Sequence, residues 1–220
     1  EWSALAFALW LPPVKSWQTT QGPTVTFNMV TKRLMRGERQ IGVCSGTHRV
    51  YSLMLLWRLD QEYDLLSDEI NAEVYAHLES VRDVIMLLQF PDGHWPPNWP
   101  DGREAVETPL TGEPEYRSVI ATGHHLEWLA IAPEELHPPR EMIRKAARWL
   151  IDDVAGKTEE EIYDKYTFYS HVGNALATWR KTHPAEFWRT WTAGHPGYES
   201  MPAPPAKPES APMILAPPPQ

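Results

Sequence analysis

The chain has very little cysteine, no long apolar run and no excess of positive charge. Cys44 is the only cysteine among 220 residues, so no disulfide can form within the chain. No uninterrupted apolar stretch approaches the roughly 20 residues that span a bilayer, so the sequence predicts no transmembrane segment. The formal net charge is -9 and no basic run is present, which argues against a nucleic-acid partner. These absences leave the cellular compartment undetermined.

What the chain does contain is apolar and aromatic. Hydrophobic residues make up 42% of it and 11 residues are tryptophan, which predicts a folded, Trp-rich and acidic protein with a substantial core. Because the chain opens at Glu1 directly with an apolar stretch, we expect that sequence preceding it was removed.

Apolar periodicity predicts an almost entirely helical chain. Helices that are apolar on nearly every side are predicted at about 46–59, 116–132 and 169–181, and such helices are buried. Helices with a single apolar stripe are predicted at about 67–89 and from Pro138-Pro139 to about 155, and such helices lean on a core. Shorter helices are predicted at 1–10, 27–36 and 185–192, and a loop at 14–26.

The alternation of buried and striped helices is typical of stacked helical hairpins, so the predicted fold is all-α. We divide the chain into N-terminal helices and loop at 1–40, a helical-hairpin domain at 41–195, and a tail at 196–220. The tail is rich in proline and is predicted to be disordered.

The segment Gln89-Phe90-Pro91-Asp92-Gly93-His94-Trp95 follows the first striped helix. Pro91 ends the helix, Asp92-Gly93 forms a turn, and Trp95 can fold back while Gln89 satisfies open backbone groups. This Gln-x-x-Asp-Gly-x-Trp form resembles the repeat motif of squalene-cyclase-like (terpenoid-cyclase-like) proteins and a similar turn in six-hairpin glycosidases. The resemblance covers about 44–182 and implies an α/α toroid.

The chain departs from that family in two respects. It lacks the aspartate-rich protonating motif of the cyclases, because Asp152-Asp153 lies on a helix of the outer type. A full toroid needs about twice as many hairpins, so we expect a partial ring. A partner chain or a second copy of this chain is expected to complete it.

A second resemblance concerns the segment Gly123-His124-x-x-Glu127-Trp128. It is similar to a segment of the N-acylglucosamine 2-epimerases, which are also α/α barrels. The resemblance implies that His124 transfers a proton beside a sugar and that Glu127 orients it or binds substrate.

A histidine followed five positions later by leucine recurs at His48, His124 and His171 and is predicted to open each buried helix. If these helices are parallel, the three imidazoles converge on one pocket. A histidine at a helix N-terminus stays neutral, as a general base or a metal ligand requires. An alternative is that these residues only start and pack the helices.

The first expectation is that the site holds no metal and no other cofactor, because no helix carries two histidines one turn apart and because His124 and His125 point in different directions. A zinc site made by Cys44, His48 and His171 is the alternative. Trp95 and Trp99, on a predicted loop at 91–115, and Trp128 are candidate ligand-binding residues, since exposed tryptophans stack on sugar rings.

Two functions follow from these residues. The first is an enzyme that performs acid–base chemistry on a sugar or an apolar terpenoid-like ligand, with His48, His124, Glu127 and His171 as catalytic residues. The second is a non-catalytic interaction or scaffold subunit that a partner chain completes.

Overall fold

The computed structural model describes residues 2–10, 14–36, 43–112 and 114–196, and within them the protein is all-α apart from one small β-hairpin. The Pro-rich tail predicted for 196–220 lies outside these residues beyond Pro196. The elements are α1 (Trp2–Trp10), β1 (Ser16–Gln18), β2 (Thr24–Thr26), α2 (Phe27–Met35), α3 (Thr47–Tyr63), α4 (Asp68–Leu88), α5 (Glu104–Glu107), α6 (Tyr116–Ile131), α7 (Arg140–Ala155), α8 (Glu159–Asp164), α9 (Tyr166–Trp179) and α10 (Pro184–Gly194).

Helix α4 carries the apolar stripe that its sequence predicts. Its buried residues lie three or four positions apart, so they face the core along one side, and they are Ile70, Val74, Leu78, Val81, Ile85 and Leu88. The Ser67 side chain accepts a hydrogen bond from the Ile70 amide and caps the helix. None of the described helices combines the length and the apolar character that crossing a membrane requires.

Helices α3 and α4 form an antiparallel hairpin. The Trp57 ring of α3 lies 5.4 Å from the Tyr75 ring of α4, whereas Val50, nearer the start of α3, shares a small cavity with Val81, nearer the end of α4. The pairing therefore runs in opposite directions along the two helices, as a connection of only a few residues requires.

Helices α3 and α6 run in the same direction. His48 near the start of α3 meets His124, and Arg58 near the end of α3 donates a hydrogen bond to the Ile131 carbonyl at 3.0 Å. The contact near the start of α3 is with an earlier residue of α6 than the contact near the end of α3. The buried helices thus place side chains from distant parts of the sequence side by side.

Helix α9 is parallel to α6 by the same criterion. The Tyr116 ring stacks on the Phe168 ring near the start of both helices, with centroids 5.1 Å apart. Further along, the Trp179 indole donates a hydrogen bond to the Leu126 carbonyl at 2.9 Å. The three helices that carry the repeated histidines are therefore parallel, as convergence of those histidines requires.

The turn after α4 joins this helix to α7. The Gln89 side-chain amide donates to the Gly93 carbonyl at 2.9 Å and to the Met142 carbonyl of α7 at 2.8 Å. The Trp95 indole folds back and donates to the Ile85 carbonyl of α4 at 2.8 Å. The predicted use of this segment as a structural turn is confirmed.

Replacing Gln89 with methionine is expected to lower the free energy of unfolding by about 1–3 kcal/mol, because two hydrogen bonds are lost and two carbonyls need new partners. Denaturant unfolding followed by tryptophan fluorescence measures the change. Gln61→Met, at an exposed position of α3, is the matched control and is expected to stay within about 0.5 kcal/mol. Equal effects of the two substitutions would contradict the bracing role of Gln89.

The loop expected at 14–26 is partly wrong, because β1 and β2 pair there as an antiparallel hairpin, with Trp17 opposite Val25. β-branched and aromatic residues flank a turn in which the Gly22 amide donates to the Thr19 carbonyl at 3.0 Å. The segment is short, which hides its alternation. The Trp17 ring packs on Phe27 of α2, with centroids 5.1 Å apart.

One further stretch contains more helix than the sequence predicts. The loop expected at 91–115 holds α5 and a 3-10 helix at Trp99–Asp101. The acidic run after Thr158 is predicted to be the first turn of a helix that Thr158 caps, and this prediction is confirmed. The run opens α8, where Thr158 and Glu161 form a reciprocal capping box.

The chain divides into two compact units, Glu1–Pro184 and Ala185–Gln220. The described part of the second unit is most of α10 and the residues just after it. Within it, the Trp191 ring stacks on Trp188 and on His195, with centroids 5.7 Å and 4.1 Å away.

Candidate functional site

A buried carboxylate, Glu127 of α6, receives hydrogen bonds from three side chains. His124 Nδ1 lies 2.6 Å from Glu127 Oε2, one helical turn away. From α9, His171 Nδ1 lies 3.1 Å from both carboxylate oxygens, and the Asn174 amide donates to Oε1 at 2.8 Å. Both oxygens of a side chain that is 5% exposed are therefore satisfied by protein donors.

The third predicted histidine completes a cluster of rings. His48 of α3 places its Nε2 3.2 Å from His124 Nε2, with the two rings nearly perpendicular. The ring centroid of His171 lies 4.0 Å from that of His124 and 6.0 Å from that of His48. Parallel packing of α3, α6 and α9 thus brings together all four residues that the sequence proposes as catalytic.

These residues line a cavity of about 360 Å³. Its walls combine imidazole, carboxylate, phenol, hydroxyl and amide groups with one aliphatic side chain, and they consist of Leu5, His48, Tyr51, His124, Glu127, Ser170, His171 and Asn174. A concave space with several polar groups directed into it is the usual form of a small-molecule site.

The hydrogen bonds determine the ionisation of Glu127. Burial by itself raises the pKa of this carboxyl group, but the hydrogen bonds from His124 and His171 outweigh it and bring the pKa to about 2. An ionised carboxylate only accepts hydrogen bonds, so the network assigns a proton to Nδ1 of His124 and of His171. When an imidazole in this tautomer is neutral, its Nε2 carries a lone pair.

Burial is the main cause that keeps the imidazoles of His48 and His124 neutral. Burial, assisted by His124 and His171, lowers the pKa of His48 to about 4. Burial also lowers the pKa of His124, against the opposing effect of Glu127. The expectation that each histidine opens its helix holds for His48 alone, because His124 lies near the middle of α6 and His171 well inside α9. Burial, and not the helix dipole, is therefore the main cause of the lowered pKa of His124.

Comparison of the chain with protein-family models, with curated proteins and with solved structures finds no match. The interpretation of the site therefore rests on its geometry.

The segment before α3 has an unusual backbone. Cys44, Ser45 and Gly46 are consecutive left-handed residues, with φ of 50°, 59° and 76°. The Trp99 indole donates to the Ser45 carbonyl at 2.8 Å, and the Thr47 hydroxyl donates to the Cys44 carbonyl at 2.5 Å. Non-glycine residues in this conformation persist only where surrounding contacts hold them. The segment places Cys44 beside the histidine cluster.

Two groups of potential metal ligands lie within the described residues. One atom from each of Cys44, His48 and His124 lies within 4.8 Å of the others, and the same holds for His124, Glu127 and His171. The first group differs by one residue from the predicted set of Cys44, His48 and His171, with His124 in place of His171.

His125 points away from the cluster. Its Nδ1 accepts a hydrogen bond from the Trp128 indole at 3.0 Å, and its ring stands edge-on to the rings of Trp95 and Trp99. Burial, with a smaller effect of His124, lowers its pKa to about 3. His125 is thus a neutral core residue, and the adjacent histidines do diverge as helical geometry requires.

The exposure expected for the loop tryptophans is not observed. Trp95 and Trp128 are fully buried and Trp99 is nearly so, and the indole N–H of each has a hydrogen-bond acceptor within the protein. None of the three is among the described residues that line the histidine cavity, although Trp99 lines a smaller one of about 120 Å³. They offer no exposed ring face on which a sugar could stack.

Sequence analysis did not identify Asn174 or Tyr51 as parts of the site. Asn174 lies three positions after His171, and Tyr51 three positions after His48, so each shares a helical face with a candidate histidine. That spacing is the signal by which they could have been found.

Proposed function

We propose that the chain is an enzyme that performs acid–base chemistry on a small polar ligand in the cavity lined by His48, His124 and His171. The observation that supports this most is that one buried carboxylate, Glu127, orients two imidazoles at once. A carboxylate that holds the tautomer and direction of an imidazole is the usual partner of a histidine general base.

Within this proposal His171 is the residue that meets the ligand. Its ring is partly exposed, at 20%, and lines the cavity, and with Nδ1 held by Glu127 its Nε2 is the nitrogen left for a ligand. No described residue hydrogen-bonds to that Nε2. His124, which the epimerase resemblance favours, is almost fully buried and directs its Nε2 at His48.

The lining of the cavity favours a hydroxylated ligand over an apolar one. Tyr51, Ser170 and Asn174 add hydroxyl and amide groups to the imidazoles, and Leu5 is the one aliphatic side chain of the described lining. Leaving such polar groups against an apolar terpenoid would forfeit their hydrogen bonds to water. Of the two ligand classes that the sequence suggests, a sugar is therefore the better match.

The toroid architecture also remains a proposal. Three parallel inner helices (α3, α6 and α9), the outer helix α4 antiparallel to α3, and the turn from Gln89 to Trp95 are consistent with part of an α/α ring. A partner chain or second copy would supply the remaining hairpins.

The decisive measurement is solvent-proton exchange. The protein is incubated in D₂O with N-acetylglucosamine, N-acetylmannosamine, glucose or mannose. NMR then follows the incorporation of deuterium at C2, the carbon next to the sugar's C1 aldehyde. We expect at least one sugar to exchange, and His171→Gln to slow this by about 10²–10⁴-fold, the usual contribution of a general base.

His195→Gln, which alters an exposed histidine that is not among the described lining residues, is the matched control and is expected to exchange at the original rate. Absence of exchange with all four sugars, or an unchanged rate in His171→Gln, would rule out this function.

One observation favours the alternative of an interaction subunit. Helix α1 exposes three large apolar side chains, Phe7 at 41%, Leu9 at 51% and Trp10 at 84%. Light scattering tests this alternative: a monomer across the micromolar range, unchanged in Trp10→Ser, would contradict association of the chain with itself.

A further inference from the structure

We infer that Cys44, His48 and His124 bind a zinc ion at the wall of the histidine cavity. This goes beyond the proposed proton transfer, because it assigns a metal to the site and leaves His171 as the imidazole that meets the ligand.

The distance between the two imidazoles suits a shared ion. Two nitrogens bound tetrahedrally to zinc at 2.0–2.1 Å are separated by about 3.3–3.4 Å. His48 Nε2 and His124 Nε2 are 3.2 Å apart, and the ligand atom of Cys44 lies within 4.8 Å of both. The three ligand atoms are therefore close enough together to surround one ion.

The protonation of His124 is also what a metal ligand needs. Glu127 accepts the Nδ1 hydrogen at 2.6 Å, so the Nε2 that faces His48 offers a lone pair. A histidine that donates its second ring N–H to a carboxylate is the common arrangement around protein-bound zinc, where it fixes the ring and raises its basicity. The carboxylate is itself held by His171 and Asn174.

The sequence spacing and backbone of Cys44 support its part in the set. Cys44 precedes His48 by four residues, so the two form a compact ligand pair at the start of α3. The left-handed run from Cys44 to Gly46 keeps the cysteine out of the helix and close to the cluster. Cys44 is partly buried, so a small ion can reach it.

The donor set points to zinc with one open position. One thiolate and two imidazoles are three ligands for an ion that takes four, as in catalytic zinc sites, and His48 and His124 both line the cavity. The other group, His124, Glu127 and His171, is a poorer site because the oxygens of Glu127 already accept three hydrogen bonds.

The test is zinc binding by the full chain, without reference to activity. Protein stripped with a chelator is given Zn²⁺, its stoichiometry is measured by elemental analysis, and its affinity by competition with a chromophoric chelator. We expect one zinc per chain, with at least 100-fold weaker binding in each of Cys44→Ser, His48→Gln and His124→Gln. His195→Gln, the control, is expected to change affinity less than threefold.

Cobalt substitution provides a second readout that does not depend on variants folding. Co²⁺ bound to the unmodified chain is expected to show a thiolate-to-metal charge-transfer band in the near ultraviolet, together with the visible bands of a tetrahedral ion. Absence of that charge-transfer band would overturn the assignment even if Cys44→Ser fails to fold by circular dichroism.

The remaining outcomes separate the two proposals. No zinc binding tighter than about 10 µM, or full affinity in Cys44→Ser combined with loss in His171→Gln, would overturn this ligand set. Sugar exchange in the metal-free protein would support the proposed proton transfer, and the zinc assignment would then be judged by the binding measurements alone. Zinc binding without exchange on any sugar would support the metal site and refute the proposed reaction.

Discussion

Glu127→Gln is expected to slow sugar proton exchange by about 10³-fold, the order of loss found when a histidine base is left in the wrong tautomer. Glutamine has one acceptor oxygen and one donor group, whereas Glu127 accepts from His124, His171 and Asn174. One imidazole must then accept at Nδ1 and carry its proton on Nε2. If His171 changes in this way, the nitrogen that faces the cavity is no longer a base.

Nitrogen-15 NMR of the imidazoles measures the tautomer directly, and the exchange assay gives the rate. The matched control is Glu115→Gln, which removes an exposed carboxylate paired with Lys157 at the start of the same helix. We expect the control to keep both the histidine spectrum and the rate. Unchanged histidine tautomers in Glu127→Gln would show that the carboxylate does not position the rings.

Gly93→Ala is expected to lower the free energy of unfolding by about 3–5 kcal/mol. A Cβ at Gly93 would lie 2.5 Å from the Lys145 carbonyl oxygen of α7, closer than real contacts allow. The residue also has φ of +113°, a conformation that alanine rarely adopts. Because backbone atoms of α7 are involved, relief requires the turn and the helix to separate.

Gly22→Ala measures the conformational part of this effect without the steric part. Gly22 also has a positive φ, of +97°, but a Cβ there would meet nothing within 4 Å. The substitution is therefore expected to lower the free energy of unfolding by conformational strain alone, by about 1–2 kcal/mol. Chemical denaturation of both variants gives the comparison, and equal losses would refute the close approach of the turn to α7.

The helices were predictable because their burial patterns are regular. The stripe of α4 has the three-and-four spacing of a surface helix, and the Ser67 cap and the proline pair before α7 mark helix starts within a few residues of those observed. The turn at Gln89–Trp95 was predictable for a related reason, since proline, aspartate and glycine each favour one local backbone geometry.

The site was predictable only in part. The repeated histidines indicated that α3, α6 and α9 are equivalent, and these helices do place them together. The start of α6 at Tyr116 agrees with the apolar pattern at about 116–132, so the histidine repeat, and not that pattern, wrongly placed His124 at a helix start. The burial of Trp95 and Trp99 also depends on His125 of α6, and that of Trp99 on Ser45, which are distant in sequence, so composition alone suggested exposure.

The hydrogen bonds around Glu127 can form only when distant parts of the chain have folded together. His48 and His124 are 76 positions apart in sequence, and a further 44 separate Glu127 from His171. Contacts of such long range form only after much of the chain has been ordered. Undocking of α9 alone would remove two of the three donors to Glu127 while leaving the α3–α4 hairpin intact. The histidine resonances therefore report on the docking of α9, independently of any ligand.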